Sequence, residues 1–309
     1  MIFSLTILGS SSALPTSKRT VTAHVLNVHE RFFLIDCGEG TQMQIRKYRI
    51  RFSRIHNVFI SHLHGDHFYG LFGLISSLNL IGRKIPINIY GPPDLKKFLD
   101  LHFGTRVQLG FQLNFVPHNM HERKIIYRDK HVSVESFPLD HKIETVGFLF
   151  REMEGERRIR KEAVGRLKPG IRDIIAIKEG QDYTDESGKV HKNDELTIPP
   201  LRGRSYAYCS DTRFFENIIP IIKNVDILYH EATYLHEMKA RAVITGHSTA
   251  LEAGMIADKA NAGRLIIGHF SSRYKDLDPL LEEARSIFPE TYLAEEGAVT
   301  EINQDGLTS

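Results

Sequence analysis

The sequence has little cysteine and no tryptophan. Its 309 residues include only two cysteines, Cys37 and Cys209, so a scaffold held together by several disulfides is excluded. Both cysteines follow apolar, strand-like runs. We therefore predict that they are buried free thiols in a protein of a reducing compartment, the cytoplasm.

Long apolar runs are also missing. No stretch of about 18 or more apolar residues occurs, so we expect no transmembrane helix and no membrane partner. The N-terminal MIFSLTILGSSSALP contains an apolar patch, but no basic region precedes it. Because this patch alternates like a strand, we interpret it as part of the fold and not as a signal peptide.

The chain lacks a strong excess of one charge, with 40 Lys and Arg against 38 Asp and Glu. One segment differs, because REMEGERRIRKEAVGRLKPGIR contains eight basic and four acidic residues. It interrupts the pattern of strands and helices. We predict one domain over residues 1–309 with an inserted basic arm at 152–195. A solvated loop is the simpler alternative for such a charge run.

Short β-rich runs alternate with helical segments along the rest of the chain. Twelve runs have the composition of strands, from FSLTILG to AVTEI, and stretches such as STALEAGMIADKAN and DPLLEEARSIF are typical of helices. About a dozen strands with interspersed helices fit an α/β sandwich of two sheets with helices outside.

The densest cluster of reactive side chains is in FISHLHGDHFYG, which places His62, His64, Asp66 and His67 within six positions. His62 and His64 lie on one side of an extended chain. The glycine permits a turn, after which Asp66 and His67 face a second position at the start of a helix. Neutral imidazole and carboxylate groups suit zinc or manganese, so we predict a metal site.

Three further ligand candidates each follow an apolar run: His141 in SFPLDH, Asp211 in YAYCSD and His269 in RLIIGH. Ligands at separate strand ends converge only if those strands share an edge, and a two-sheet sandwich provides one. Asp211 can bridge two ions through its two oxygens. Five other histidines lack this context, and we predict surface or loop roles for them: His118, His121, His131, His191 and His236.

The motifs SHLHGDH, PLDH, CSDT and GHFSSRY occur here in the order typical of the metallo-β-lactamase superfamily of metal hydrolases, which the chain resembles. With LGSSSALPTSKR, LIDCGEGTQMQ, HEAT and GHST, nearly the whole chain is similar to the ribonuclease Z family. This resemblance implies an αββα four-layer sandwich with a protruding arm that serves as a tRNA exosite. It also implies a homodimer in which arm and active site belong to opposite subunits.

The same resemblance implies a zinc-dependent endoribonuclease. Such an enzyme removes the 3′ trailer from precursor tRNA by metal-hydroxide attack on a phosphodiester and leaves a 3′-OH on the tRNA. It implies two zinc ions per chain, although manganese or another divalent ion could replace them. The first ion would be held by His62, His64, His141 and Asp211, and the second by Asp66, His67, Asp211 and His269.

The family pattern also implies roles for residues beyond the ligands. Asp66 would accept a proton from the nucleophile, His247 would donate one to the departing 3′ oxygen, and Glu231 would orient His247. Five residues in loops after strands are expected to contact phosphates: Lys18, Arg19, Ser271, Ser272 and Arg273.

Two positions depart from the family pattern. Thr20 replaces an asparagine that is usual in the first loop, and the arm has Pro169 before Gly170 instead of a Gly-Pro pair. The alternatives are a phosphodiesterase or arylsulfatase for small molecules, a redox diiron protein and a metal-binding protein without catalysis. The long basic arm argues against a small substrate. His64 stands where diiron relatives typically have a glutamate.

Overall fold

The computed structural model describes residues 2–104 and 107–303. Residue contacts divide the chain into two units. The first comprises the chain up to Arg151 and from Arg204 onward, and the second comprises Glu152–Gly203. Among the described residues, no helix combines the length and apolarity that crossing a membrane requires.

The elements are numbered along the chain. The strands are β1 (Phe3–Gly9), β2 (Ala23–Val28), β3 (Arg31–Ile35), β4 (Ile55–Phe59), β5 (Ile87–Gly91), β6 (Leu113–Pro117), β7 (Lys124–Arg128), β8 (Val132–Leu139), β9 (Thr145–Glu152), β10 (Arg158–Ile159), β11 (Tyr183–Thr184), β12 (Val190–His191), β13 (Thr197–Ile198), β14 (Ser205–Cys209), β15 (Ile227–Glu231), β16 (Arg264–Gly268), β17 (Thr291–Leu293) and β18 (Val299–Glu301). The α-helices are α1 (Thr41–Lys47), α2 (Gly65–Phe68), α3 (Gly70–Leu80), α4 (Leu95–Leu99), α5 (Lys161–Leu167), α6 (Ile171–Lys178), α7 (Asn193–Leu196), α8 (Ile219–Ile222), α9 (Lys239–Thr245), α10 (Ala250–Lys259) and α11 (Asp278–Arg285).

Two seven-stranded sheets form the first unit. Their strand orders are β18-β1-β2-β3-β4-β5-β6 and β17-β16-β15-β14-β9-β8-β7. Each sheet contains four adjacent parallel strands, β3 to β6 in one and β14 to β17 in the other. The loops that follow parallel strands leave from the same edge of a sheet, which is where α/β proteins commonly place functional groups.

Alternating side chains explain why the first sheet is covered on both faces. Phe33 of β3 belongs to the core between the sheets, with Phe148 of β9 and Tyr208 of β14. Leu34, its neighbour, belongs to a second core with Leu74 of α3 and other residues of α1 and α4. Helices α10 and α11 contribute small and aliphatic residues to the first core. The predicted four-layer αββα sandwich is therefore confirmed.

The second unit has its own small core of Ala163, Ile177, Tyr183 and Leu196. Two ribbons, β10 with β13 and β11 with β12, accompany helices α5 to α7. Between residues 157 and 172 it has seven basic residues and one acidic residue. The unit as a whole has 11 of each sign, so its basic character is confined to that stretch.

The structure tests two simpler predictions. Cys37 and Cys209 are free and buried, as predicted. A surface or loop role was predicted for His118, which lies in the loop after β6 but is only 4% exposed. Its ring lies 5.4 Å from that of Phe148, and its Nε2 is 3.0 Å from the carbonyl oxygen of Ile60. The surface or loop role predicted for His191 is wrong, because this residue is buried and lies in β12.

Gly70 provides a test of how the helix after the histidine motif is packed. A Cβ at Gly70 would lie 2.0 Å from the carbonyl oxygen of Gly38. We predict that Gly70→Ala lowers the free energy of unfolding by roughly 1–3 kcal/mol, because the backbone must move. Urea unfolding measures this loss. In the control Gly73→Ala, the new Cβ meets only the end of the Gln42 side chain, so stability should be retained. Equal losses in both variants would contradict this account.

Candidate active site

The predicted ligands converge at the ends of strands from both sheets. His62 lies three residues beyond the end of β4, His141 and Asp211 lie two residues beyond β8 and β14, and His269 directly follows β16. Next to them is an open cavity of about 520 Å³. The predicted ligands and catalytic residues that line this cavity are His64, Asp66, Asp211, His247 and His269.

Asp211 lies between two groups of histidines. Its Oδ2 is 3.5 Å from Nε2 of His62 and 3.7 Å from Nε2 of His141. Its Oδ1 is 3.3 Å from Nε2 of His67 and 3.2 Å from Nε2 of His269. The two carboxylate oxygens therefore face different histidine pairs, as a ligand shared by two ions requires.

His64 and Asp66 complete the two groups. Nδ1 of His64 is 3.1 Å and 3.2 Å from the Nε2 atoms of His62 and His141. Oδ2 of Asp66 is 3.3 Å from Nε2 of His269. Two ligand atoms bound about 2.0–2.1 Å from a tetrahedral ion are separated by about 3.3 Å, so these distances suit one ion per group.

A buried oxygen without a hydrogen-bond partner supports this fit. Oδ1 of Asp211 is buried and accepts no hydrogen bond from the described residues. Leaving a buried carboxylate oxygen unpaired is costly, and a bound cation would remove that cost. The nitrogen and oxygen donors around Asp211 fit a pair of divalent ions.

The ring nitrogens that face away from the ligand groups have hydrogen-bond acceptors. Nδ1–H of His67 donates to Oδ2 of Asp36 over 2.7 Å, and Nδ1–H of His141 donates to the carbonyl oxygen of Gly246 over 2.6 Å. Each bond keeps the proton on Nδ1 and leaves Nε2 bare for a metal. We assigned no role to Asp36 from the sequence, although it directly follows a buried strand, as His269 does.

Asp36 also determines the proton position in the His62 ring, through the hydroxyl group of Ser61. The Asp36 carboxylate is fully buried and accepts hydrogen bonds from the N–H and hydroxyl of Ser61 (2.7 and 2.8 Å), from Tyr208 (2.6 Å) and from His67. Since the Ser61 proton is donated to Asp36, Ser61 Oγ accepts from Nδ1–H of His62 over 3.0 Å. His62 is thereby left with a bare Nε2.

Electrostatics agree with this arrangement. Burial lowers the pKa of both His62 and His141 to about 4, so both rings are neutral and can act as ligands. At His67, burial opposes the charged form, but the carboxylates of Asp211 and Asp66 outweigh it and raise the pKa. The surroundings of His67 therefore stabilise a positive charge, as a cation site must.

Glu231 and His247 form a second functional pair at the cavity. Glu231 ends β15 and is fully buried, and its Oε1 accepts from Nδ1–H of His247 over 2.8 Å. Burial by itself would lower the pKa of His247, but the Glu231 carboxylate raises it to about 9. The ring of His247 lies 5.1 Å from that of His141 and 5.3 Å from that of His269. A charged imidazole thus lies beside the ligand groups.

The five predicted substrate contacts, Lys18, Arg19, Ser271, Ser272 and Arg273, are not among the residues that line the cavity in the described part of the chain. Arg19 Nη2 donates to the carbonyl oxygens of Tyr274 (2.9 Å) and Ser271 (3.5 Å), which joins the loop after β1 to the loop after β16. Arg273 is exposed, and its Nε donates to Ser271 Oγ. Phosphate binding by these residues stays a prediction.

Other residues complete the cavity wall. The loop after β1 contributes Ala13, and the Ala13 N–H donates to Oδ2 of Asp66 over 2.7 Å. Tyr69, with an exposed ring, and Glu39 were not predicted to be here. Tyr69 lies two residues after His67 in the same stretch, and that proximity was the available signal. Thr20 is not among the described residues that line the cavity, and its hydroxyl donates to the Leu8 carbonyl oxygen over 2.7 Å.

Comparison with known proteins gives matches over nearly the whole chain. The chain is 44% identical over 299 residues to ribonuclease Z of Parabacteroides distasonis, covering 96% of this chain and 97% of that one. It is 45% identical over 300 residues to ribonuclease Z of Cytophaga hutchinsonii, covering 96% of each. Residues 3–154 also match the profile of a family described as Anti-Pycsar protein Apyc1.

Solved structures agree with these matches. The short form of human tRNase Z superposes with a TM-score of 0.69 at 26% identity, over 97% of this chain and 99% of that chain. The metallo-β-lactamase fold protein YhfI from Bacillus subtilis superposes with a TM-score of 0.70 over 97% of this chain and all of that one. At 18% identity, the second match supports the fold alone.

Removing Asp211 tests the shared-ligand geometry. We predict about two divalent ions per chain in the wild-type protein and fewer than one in Asp211→Ala, because both groups lose a ligand. Elemental analysis after dialysis measures the ions. Asp129→Ala removes a carboxylate that is paired with Arg31 and does not line the cavity, and it should retain all metal. An Asp211→Ala protein with two ions would contradict the bridging role.

Proposed function

This chain belongs to the ribonuclease Z family of metal-dependent tRNA 3′-processing endonucleases, and we propose that it removes the 3′ trailer from precursor tRNA. The reaction is hydrolysis of one phosphodiester, which leaves a 3′-OH on the tRNA. The placement of the Glu231–His247 pair beside two ligand groups that share Asp211 carries this proposal.

We propose zinc as the resident metal, with two ions per chain. Histidine nitrogens and carboxylate oxygens suit zinc, and manganese is compatible with the same donors. When bound, such ions polarise phosphoryl oxygens and make a water molecule more acidic. The residues that would hold them are His62, His64, His141 and Asp211 for one ion and Asp66, His67, Asp211 and His269 for the other.

Asp66 is the proposed acceptor of the proton that the attacking water loses. Burial raises the pKa of Asp66, but His67 and His269 outweigh that effect and hold the pKa well below its usual range. The carboxylate is therefore ionised. The Ala13 N–H fixes its orientation through Oδ2, so the acceptor is held in place before substrate binds.

His247 is the proposed donor to the departing 3′ oxygen. Its Nδ1–H is engaged by Glu231 over 2.8 Å, so Nε2 is the nitrogen that delivers the proton. Because Glu231 raises the pKa of His247 to about 9, the ring holds that proton at neutral pH. A positioned acid of this kind typically accelerates such a step by about 10²–10⁴-fold.

We propose that the second unit is the tRNA exosite. Six basic side chains in its basic stretch are exposed, and no ion pair engages them within the described chain: Arg158, Arg160, Lys161, Arg166, Lys168 and Arg172. Unpaired cations bind a phosphate backbone by displacing its counterions, whatever the sequence. This suits an enzyme that recognises the shared shape of tRNAs.

The family resemblance supports two further proposals, that the enzyme acts as a homodimer and that it works in the cytoplasm. In a homodimer the exosite of one subunit would serve the active site of the other. Precursor tRNA is the substrate, and the two buried free thiols suit a reducing compartment.

The role of His247 predicts a dependence on the leaving group. His247→Ala should slow cleavage of 3′-extended precursor tRNA by about 10²-fold or more, because the 3′ oxygen needs a proton. Hydrolysis of bis-p-nitrophenyl phosphate should change far less, because p-nitrophenolate leaves as a stable anion. Rates under metal saturation measure both. The control His121→Ala alters an exposed histidine paired with Glu144 and should affect neither rate. Equal slowing of both substrates would exclude His247 as the donor.

The role of the second unit predicts a dependence on substrate size. Arg151 and Ser205 are paired in adjacent antiparallel strands, so a short linker can replace residues 152–203. We predict that this variant retains hydrolysis of bis-p-nitrophenyl phosphate and loses most cleavage of precursor tRNA. The triple variant Arg158→Gln, Arg166→Gln, Lys168→Gln should weaken tRNA binding and reduce its salt dependence. Equal loss of both activities in the linker variant would contradict the exosite.

A further inference from the structure

Thr233 lies between the proton-donor pair and the metal-site histidine His269. It is only 1% exposed. Its hydroxyl is 2.7 Å from Oε2 of Glu231 and 3.0 Å from Nδ1 of His269. One hydroxyl group thus contacts both parts of the site.

The direction of these two bonds follows from the number of protons available. Glu231 is fully buried. Burial raises the pKa of its carboxyl group, but His247 outweighs that effect and lowers the pKa. The ionised carboxylate can therefore only accept hydrogen bonds. It accepts from His247, from the Thr212 N–H over 3.0 Å and from the Thr233 N–H over 3.1 Å. The Thr233 hydroxyl is the fourth donor, and its single proton is used in that hydrogen bond. Thr233 Oγ1 therefore accepts from Nδ1–H of His269.

This direction determines which nitrogen of His269 is free. With the proton on Nδ1, Nε2 is bare, and Nε2 is the atom 3.2 Å from Oδ1 of Asp211. The backbone of His269 has a φ of 58°, a left-handed conformation that residues other than glycine adopt uncommonly. The hydrogen bond from Nδ1–H to Thr233 Oγ1 fixes the orientation of the ring.

The same arrangement occurs elsewhere in the site, which argues against coincidence. Asp36 binds His67 directly and reaches His62 through the hydroxyl of Ser61. Glu231 binds His247 directly and reaches His269 through the hydroxyl of Thr233. In both cases a buried carboxylate fixes the proton position in two imidazole rings.

We propose that Thr233 is a positioning residue that connects the Glu231 carboxylate to the metal ligand His269. Glu231 then orients the proton donor and one metal ligand together. The part that concerns His247 rests on the proposed function, whereas the part that concerns His269 is a statement about metal affinity alone.

Substitutions at Thr233 test this connection. The backbone there does not depend on the side chain, because Ala232 N–H donates to the Gly268 carbonyl oxygen (2.8 Å) and Ser271 N–H donates to that of Thr233 (3.3 Å). Thr233→Val keeps the shape and removes the hydroxyl. We expect the dissociation constant of the more weakly bound zinc ion to rise about 10-fold in this variant, because a metal ligand that loses its hydrogen-bond partner typically binds the metal that much less tightly. Competition with a chelator measures this.

Three further variants make the result specific. Thr233→Ser restores the hydroxyl and should bind zinc within about threefold of wild type, in line with the small effect expected when the outer partner remains. Thr233→Ala repeats the loss of the hydroxyl if the valine variant is unstable. Thr291→Val removes a buried hydroxyl whose only hydrogen bond within the described residues is to the Phe288 carbonyl oxygen, and it should leave zinc affinity unchanged.

Activity at saturating zinc provides the second measurement. Thr233→Val should remain about 10-fold slower on precursor tRNA and recover on bis-p-nitrophenyl phosphate, because Glu231 orients His247 less firmly. Wild-type zinc affinity in Thr233→Val, loss in Thr233→Ser, or equal loss in Thr291→Val would overturn the proposal. If the wild-type protein fails to cleave precursor tRNA while Thr233→Val loses zinc affinity, the proposed function is wrong and the connection to His269 stands.

Discussion

A histidine can bind a metal through one ring nitrogen only while its proton is on the other, and this requirement organises the interior of the protein. Asp36 accepts from His67 directly, and the hydroxyls of Ser61 and Thr233, which accept from His62 and His269, donate to Asp36 and Glu231. Each carboxylate is fully buried and accepts four hydrogen bonds. Those donors offset the cost of burying a charge. In return, each carboxylate determines the proton position in two imidazole rings.

The fold makes this possible by bringing strand ends together from two sheets. Asp36 directly follows β3 in one sheet, and Glu231 ends β15 in the other. Asp211 follows β14, which lies beside β15. Left-handed backbone at Asp36 (φ 53°) and His269 (φ 58°) turns the chain where a strand ends. Strain of this kind persists where the surroundings enforce it, as they do at functional sites.

The structure brings together the predicted ligands whose type and position carry the signal, and their binding of metal stays a prediction. His141, Asp211 and His269 each follow a buried strand and carry side chains that suit a metal, and the structure brings all three together. Ser61 and Thr233 were not found, because a hydroxyl group after a strand is common and its function depends on what it contacts. Phosphate binding by Arg19 stays a prediction, and its guanidinium donates to two backbone carbonyl oxygens, which the sequence did not indicate.

The sequence by itself determined the layered fold, the chemical type of the proposed ligands and the family. These follow from the alternation of strands and helices, from the donor groups of the side chains and from the order of the motifs, all of which can be read from the chain without its three-dimensional structure. Only the tertiary structure decided which oxygen of Asp211 faces which histidines, which nitrogen of His269 is bare, and that one carboxylate, Glu231, serves His247 and Thr233 together. The physical reason is that these are distances of about 3 Å between side chains that folding brings together, such as Asp211 with His269 and Thr233 with His269, and hydrogen bonds form only at that range.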